Sequence, residues 1–283
     1  MVINGRTDLA SEARVLRSEP AGELPGVTAR QETLEGLPVT AVEILDERGA
    51  RALGKPAGRY YTLELPAHFV RGGEDFPRAA AALAALIRRG LEPERPERVL
   101  IAALGNPDIT PDALGSLAAG EILVTRHLKS RSPREFRGFA STALCRTGVL
   151  GTTGVESAAQ IRVLCRELRP DCVIAVDALA GADFSRLCRS VQICDAGIAP
   201  GSGVGNDREA LDRAALGVPV VAIGVPTVID AALLSPDPAL KSLFVTPRSI
   251  DSDVRTAARL IAYGLNTALH PGLSLADIDM LVG

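Results

Sequence analysis

The stretch 98-RVLIAALGNPDITPDALGSLAAGEIL-123 decides the fold. One arginine is followed by an unbroken apolar run, the pattern of a short buried strand that stops at Gly105-Asn106. The residues after it predict a helix, with Thr110 as N-cap and Pro111 at the first helical position. Downstream the pattern returns. "TTGVESAAQIRVLCREL" (152–168) opens on Thr153-x-x-Glu156, a capping box, and carries Ile161, Leu164, Cys165 and Leu168 at helical spacing. "CVIAVDAL" (172–179) follows as a strand, then "VQICDAG" (191–197) and "VPVVAIGVPTV" (218–228). Val254, Ala257, Ala258, Ile261, Ala262, Leu265 and Leu269 form one helical stripe near the end. Alternating strands and helices predict an α/β fold, a mostly parallel sheet flanked by helices.

Upstream the pattern changes. "LPVTAVEIL" (37–45) and "RYYTLELP" (59–66) alternate apolar and polar residues, so they predict strands, paired with each other. "PRAAAALAALIRRG" (77–90) predicts a helix with Gly90 as its stop. The first 35 or so residues are polar and predict an irregular arm. Together these make an N-terminal strand-rich appendage on a single domain.

Composition agrees. The 283 residues are 47% hydrophobic but only 3% aromatic, with no tryptophan, so the core is Ala, Val, Leu and Ile. A net charge of −3 gives no electrostatic case for nucleic acid or a membrane surface. Five cysteines without a C-x-x-C pair predict reduced core residues in a cytoplasmic protein. No apolar run is long enough to span a bilayer, and the start has no apolar signal core.

In such sheets, catalytic groups gather at the carboxyl ends of strands. Asp177 closes one predicted strand, Asp112 lies just beyond another, and Asp195 with the loop "APGSGVGND" follows a third. Each aspartate has a plain structural alternative. Acids favour the first turn of a helix, which accommodates Asp112, and Asp177 could cap a helix after its strand. Together, two carboxylates at adjacent strand ends could share a proton and activate a water, or hold a metal. Gly201, Gly203 and Gly205, spaced two by two around Ser202, fit neither the Walker nor the dinucleotide pattern, and alone they indicate a tight loop. His127, in "TRHL" (125–128), is placed just after a helix.

Taken in order, "RTDLASEA" (6–13), "LGN…TPDALG" (104–115), "LVTRHL" (123–128), "GTTGVES" (151–157), "RPDCVIAVDALA" (169–180), "APGSGVGNDRE" (199–209), "LGVPVVAIGVPTVIDAA" (216–232) and "GLNTALH" (264–270) closely resemble the spore germination protease family. The resemblance implies a fold similar to the hydrogenase-maturation endopeptidases, a homotetramer, and a precursor made inactive. It implies endoproteolysis of small acid-soluble spore proteins in the spore core, by an atypical aspartic mechanism without a cofactor. By motif the two catalytic carboxylates land on Asp112 and Asp177. The family cuts after an acid and before an apolar residue, and Thr7-Asp8-Leu9-Ala10-Ser11-Glu12 nearly copies its substrate motif. Residues 1–8 are thereby expected to be a propeptide, cut between Asp8 and Leu9, with residues 9–283 the protease domain and 9–75 its N-terminal arm and strands.

The expected mechanism makes Asp112 the ionised base, held so by a helix dipole, and Asp177 the protonated acid on an apolar strand, with the reverse assignment open because such a pair titrates as a unit. Gly201, Ser202, Gly203 and Gly205 would offer backbone amides to the oxyanion or line the substrate channel. One alternative is a metal-dependent endopeptidase with His127 or Asp195 as further ligands. The other is a non-catalytic peptide-binding protein.

Overall fold

The computed structural model describes residues 7–17, 24–70, 72–93, 95–201, 205, 208–235, 237–240 and 243–282. In chain order these form α1 (Ala10–Arg17), β1 (Val27–Leu34), β2 (Leu37–Ile44), α2 (Glu47–Leu53), β3 (Gly58–Glu64), α3 (Asp75–Gly90), β4 (Arg98–Leu104), α4 (Leu114–Ala118), α5 (Arg126–Arg131), β5 (Ser141–Gly148), α6 (Leu150–Thr153), α7 (Ser157–Leu168), β6 (Cys172–Gly181), β7 (Ser190–Cys194), α8 (Arg213–Leu216), β8 (Val220–Asp230), β9 (Phe244–Val245), α9 (Ile250–Leu269) and α10 (Leu275–Val282). None of these helices is long and apolar enough to cross a membrane.

One sheet runs β1-β2-β3-β7-β8-β6-β4-β5, with β9 on the end of β8. Strands β8, β6, β4 and β5 are mutually parallel, while β1, β2, β3 and β7 pair antiparallel. The N-terminal strands therefore extend the sheet edge-on. On one face Ile101, Ile174, Val176, Ile193 and Ile223 pack under α3, α4 and α9. On the other, Leu100, Ala102, Val173 and Ala175 meet α7, and Val42, Tyr60, Cys194 and Ala222 meet α1 and α2. Four of the cysteines are buried, Cys145 is half-buried, and none is paired.

Several local expectations give way. Strand β1 falls inside the stretch expected to be irregular. Its residues are polar because it lies at the sheet edge with most side chains in water, and its turn to β2 uses Glu35 and Gly36, both left-handed, without the usual Asn-Gly signal. The capping box is not formed: Gly154 ends α6 at Thr153, and α7 starts only at Ser157. The helix expected from Thr110 is a 3-10 turn, Thr110–Asp112, then the single turn and a half of α4. Strand β6 does not stop at Asp177 but runs four residues further, still paired with β8.

His270 closes α9 and is 1% exposed. Its ring lies 4.9 Å from that of Phe139, its Nε2 meets the Leu123 carbonyl at 3.3 Å, and its Nδ1 has no partner among the described residues. Burial pulls its pKa down to about 4. The unfolded chain takes up this proton near pH 6.5 and the folded chain only near 4, so stability is lost as pH falls through that window, by roughly 3 kcal/mol. Melting curves from pH 7 to 4.5 are expected to show this slope, and a His270→Asn variant to lack it. An unchanged slope in the variant contradicts the assignment.

Candidate active site

Because β6 outruns β4, Asp177 stands just past the last β4–β6 pairing, Ala103 with Val176. The alternation of the strand puts Asp177 on the face of Val173 and Ala175. That face is covered by α7 and α8 on one side and by α1 and α2 on the other, and Asp177 lies between them. It is 4% exposed. Its Oδ1 accepts from the Ala178 N–H at 3.0 Å. Burial, and then the charge of Asp112, push its pKa well above the usual carboxylate range.

Asp112 is brought beside it by a tight turn. Gly105, at φ +94°, reverses the chain where a Cβ would sit 1.9 Å from the Asp112 carbonyl oxygen. Gly115 lets α4 press on the strand ends, since its Cβ would be 2.4 Å from the Leu104 carbonyl oxygen and 2.6 Å from that of Val176. The Asn106 N–H donates to Asp112 Oδ2 at 2.8 Å. The dipole expected to hold Asp112 ionised is absent, because only a 3-10 turn begins there. Burial raises its pKa, against the Asn106 bond and the Arg208 guanidinium. Asp177, the more deeply buried, is raised further, so Asp112 is the first of the two to ionise.

Asp112, Asp177, Arg208 and Gly201 line one cleft of about 410 Å³, and Asp8 enters it. A second hollow of about 230 Å³ joins Asp8 and Asp177 to Lys55, Gln192 and Gly201. The segment expected to be cut is docked here. The Asp8 N–H donates to the Ala180 carbonyl at 2.8 Å, and the Ala180 N–H donates to Asp8 Oδ2 at 2.9 Å. Lys55 Nζ donates to the Thr7 carbonyl at 3.0 Å. Burial lowers the Lys55 pKa, and the Asp8 carboxylate opposes that shift. Leu9 and Ala10 are wholly buried. Glu12 Oε2 accepts from the Thr7 hydroxyl and the Ala182 N–H, each at 2.6 Å. Ser11 Oγ accepts from Thr62 and from Arg186, each at 3.1 Å.

The germination protease family model matches residues 4–240 of this chain. The chain belongs to the germination protease family. It is similar to the germination protease of Caldanaerobacter subterraneus subsp. tengcongensis, at 39% identity over all of this chain and 99% of that one. It is similar also to that of Clostridium perfringens, at 35% over 98% of each. The first alignment runs over 323 positions against 283 residues here, in keeping with a chain shorter than its relatives. A solved hydrogenase maturation protease, HycI of Thermococcus kodakarensis, overlaps 64% of this chain and 99% of its own at 20% identity and TM-score 0.37. Membership of the family makes the chain a protease of the germination type.

Not every expected site residue joins this family member's cleft. Asp195 does not: β7 runs antiparallel to β8, so its carboxyl end lies at the opposite end of the sheet. There Asp195 accepts from the Arg59 N–H at 2.7 Å and pairs with its guanidinium at 2.6 Å. His127 lies exposed in the first turn of α5 rather than after a helix, outside both hollows. The two candidates for further metal ligands are thus removed, and no three His, Cys, Asp or Glu among the described residues converge as a ligand set. Gly201 lines both hollows and Gly205 neither, while Ser202 and Gly203 lie outside the described residues. Arg186, the first basic residue after Asp177, pairs with Glu64 at 3.0 Å and holds the arm through Ser11. Lys55, Gln192 and Arg208 were not singled out from the sequence.

Proposed function

We propose that this chain is an endopeptidase that cuts small acid-soluble spore proteins after an acidic residue and before an apolar one, with Asp112 and Asp177 activating water. Its own Asp8–Leu9 bond is the first that it cuts. The observation that carries this reading is the docked segment: Asp8 lies against the β6 strand that bears Asp177, with its carboxylate near Lys55 and Leu9 buried beyond it. An acid followed by an apolar residue is what those surroundings accommodate.

In the reaction, ionised Asp112 takes a proton from water as the oxygen adds to the carbonyl carbon of Asp8. Protonated Asp177 steadies the developing oxyanion, then gives its proton to the Leu9 nitrogen as the C–N bond breaks. The products are a new carboxylate on Asp8 and a new amine on Leu9. The rate falls as pH drops through the Asp112 pKa and again as it rises through the higher one of Asp177, the two titrating as a pair.

The test is incubation of the purified full chain, followed by intact mass and N-terminal sequencing, beside a peptide copying residues 3–17. The expected result is a chain starting at Leu9 and a peptide cut once, between the positions of Asp8 and Leu9. Cutting at another bond, or none in either, overturns the reading.

A further inference from the structure

Gln192 is a polar side chain in an apolar strand, 6% exposed, and the mechanism above does not use it. Its register partner on β8 is Gly224, whose partner on β6 is Asp177. Register partners share a sheet face, so Gln192 and Asp177 stand on one face two strands apart, about 9.5 Å between backbones, with no side chain on the residue between them. The Leu179 side chain lies over Gly224, and Asp8, Asp177 and Gln192 line the hollow beside it.

The amide of Gln192 grips the arm at both ends of Leu9. Its Nε2 donates to the carbonyl oxygen of Asp8 at 2.9 Å. Its Oε1 accepts from the Ala10 N–H at 2.8 Å. The orientation is fixed, because a main-chain carbonyl only accepts and a main-chain N–H only donates. The peptide bond between Asp8 and Leu9 is therefore held by a side chain that already donates to its oxygen.

We infer that Gln192 is the oxyanion donor of this protease, holding the carbonyl oxygen of the residue before the cut in the tethered arm and in each later substrate. The inference rests on the reading that Asp8–Leu9 is the bond cut. A buried donor aimed at an oxygen that gains charge in the transition state strengthens as the charge grows. The Oε1 contact sets the substrate's register two residues further on. Gln192 then meets the oxyanion beside the protonated Asp177.

Two variants test it on the full chain with the peptide copying residues 3–17. Gln192→Met keeps the volume and loses the donor. Gln192→Glu keeps the acceptor for the Ala10 N–H and puts an oxygen where the donor was. The expected result for Gln192→Met is a kcat lower by roughly 10²- to 10³-fold with KM within about threefold. Gln192→Glu is expected to be as slow at neutral pH and to recover as pH falls, because a protonated carboxyl donates again. A purely structural staple would raise KM and leave the pH profile in place. If either variant cuts with kcat within threefold of the unaltered chain at neutral pH, or if the whole loss lies in KM, the assignment is overturned. Should Gln192→Met fail to fold, the pH profile of Gln192→Glu decides alone. If the unaltered chain does not cut the peptide between its Asp and Leu, the proposed function itself has failed, which is a different outcome.

Discussion

Asp177→Asn is expected to lower cleavage by roughly 10²- to 10⁴-fold, the scale of a lost general acid or base, and to make the folded chain more stable at neutral pH. Both halves follow from burial. Asp177 is 4% exposed and its pKa is raised well above the usual range. Above pH 4 the unfolded chain has released this proton while the folded chain still holds it. Stability therefore falls as pH rises from about 4 through the folded pKa. Asparagine cannot ionise, and its Oδ1 still accepts from the Ala178 N–H, so the variant loses this slope. Denaturant titrations at pH 5 and pH 8 are expected to separate the two proteins at pH 8 and bring them closer at pH 5. Peptide cleavage within tenfold of the unaltered chain would falsify the role. Asp112→Asn is expected to lose comparable activity without comparable stabilisation, since Asp112 is only half-buried and accepts from Asn106 in its ionised form.

Gly115→Ala is expected to do more damage than its one methyl group suggests. The added Cβ would meet the backbone of Leu104 at 2.4 and 2.6 Å and the Val176 carbonyl at 2.6 Å. Both belong to central strands that cannot yield, so α4 must lift away. The turn bearing Asp112 is joined directly to α4 and moves with it. We expect a loss of about 3 kcal/mol, as for overpacking at a rigid site. Cleavage should fall further than the folded fraction explains, because the two carboxylates separate. Gly138→Ala is the control, since nothing lies within 4 Å of its Cβ, and it should alter neither quantity. Equal behaviour of the two variants in denaturation and cleavage assays contradicts this account of the turn.

The apolar runs made β4, β6 and β8 legible, because strands buried on both faces leave little choice of residue. From their order the sequence also placed Asp112 and Asp177 on neighbours. Strand direction left no such trace. "VQICDAG" has the composition of its parallel neighbours, yet it enters the sheet antiparallel and carries Asp195 to the far end. Gln192 carries the same signal as Asp177, one polar residue in an apolar run, but an amide has no titratable charge to set it apart from a structural polar group. Lys55 carried no local signal at all. Its place beside Asp8 is set by the β2–β3 connection and the arm, which the sequence does not align. The arm resembles a cleavage motif in sequence, while its docking depends on Lys55, Arg186 and Gln192, which lie far along the chain and which the sequence does not align with it.

The attachment of α1 has a kinetic consequence. Cutting after Asp8 would release residues 1–8 only. Leu9–Arg17 would stay on the chain, with Ala10 and Ala13 still packed beside Tyr60 and Cys194. A product held this way rebinds at a local concentration on the order of millimolar, and dilution does not wash it out. The newly made terminus would act as a resident competitor, and incoming substrate would have to displace it at every turnover. Processing and activation would then be two events with two rates. The mass change would mark the first, and the withdrawal of α1 from the sheet would set the second.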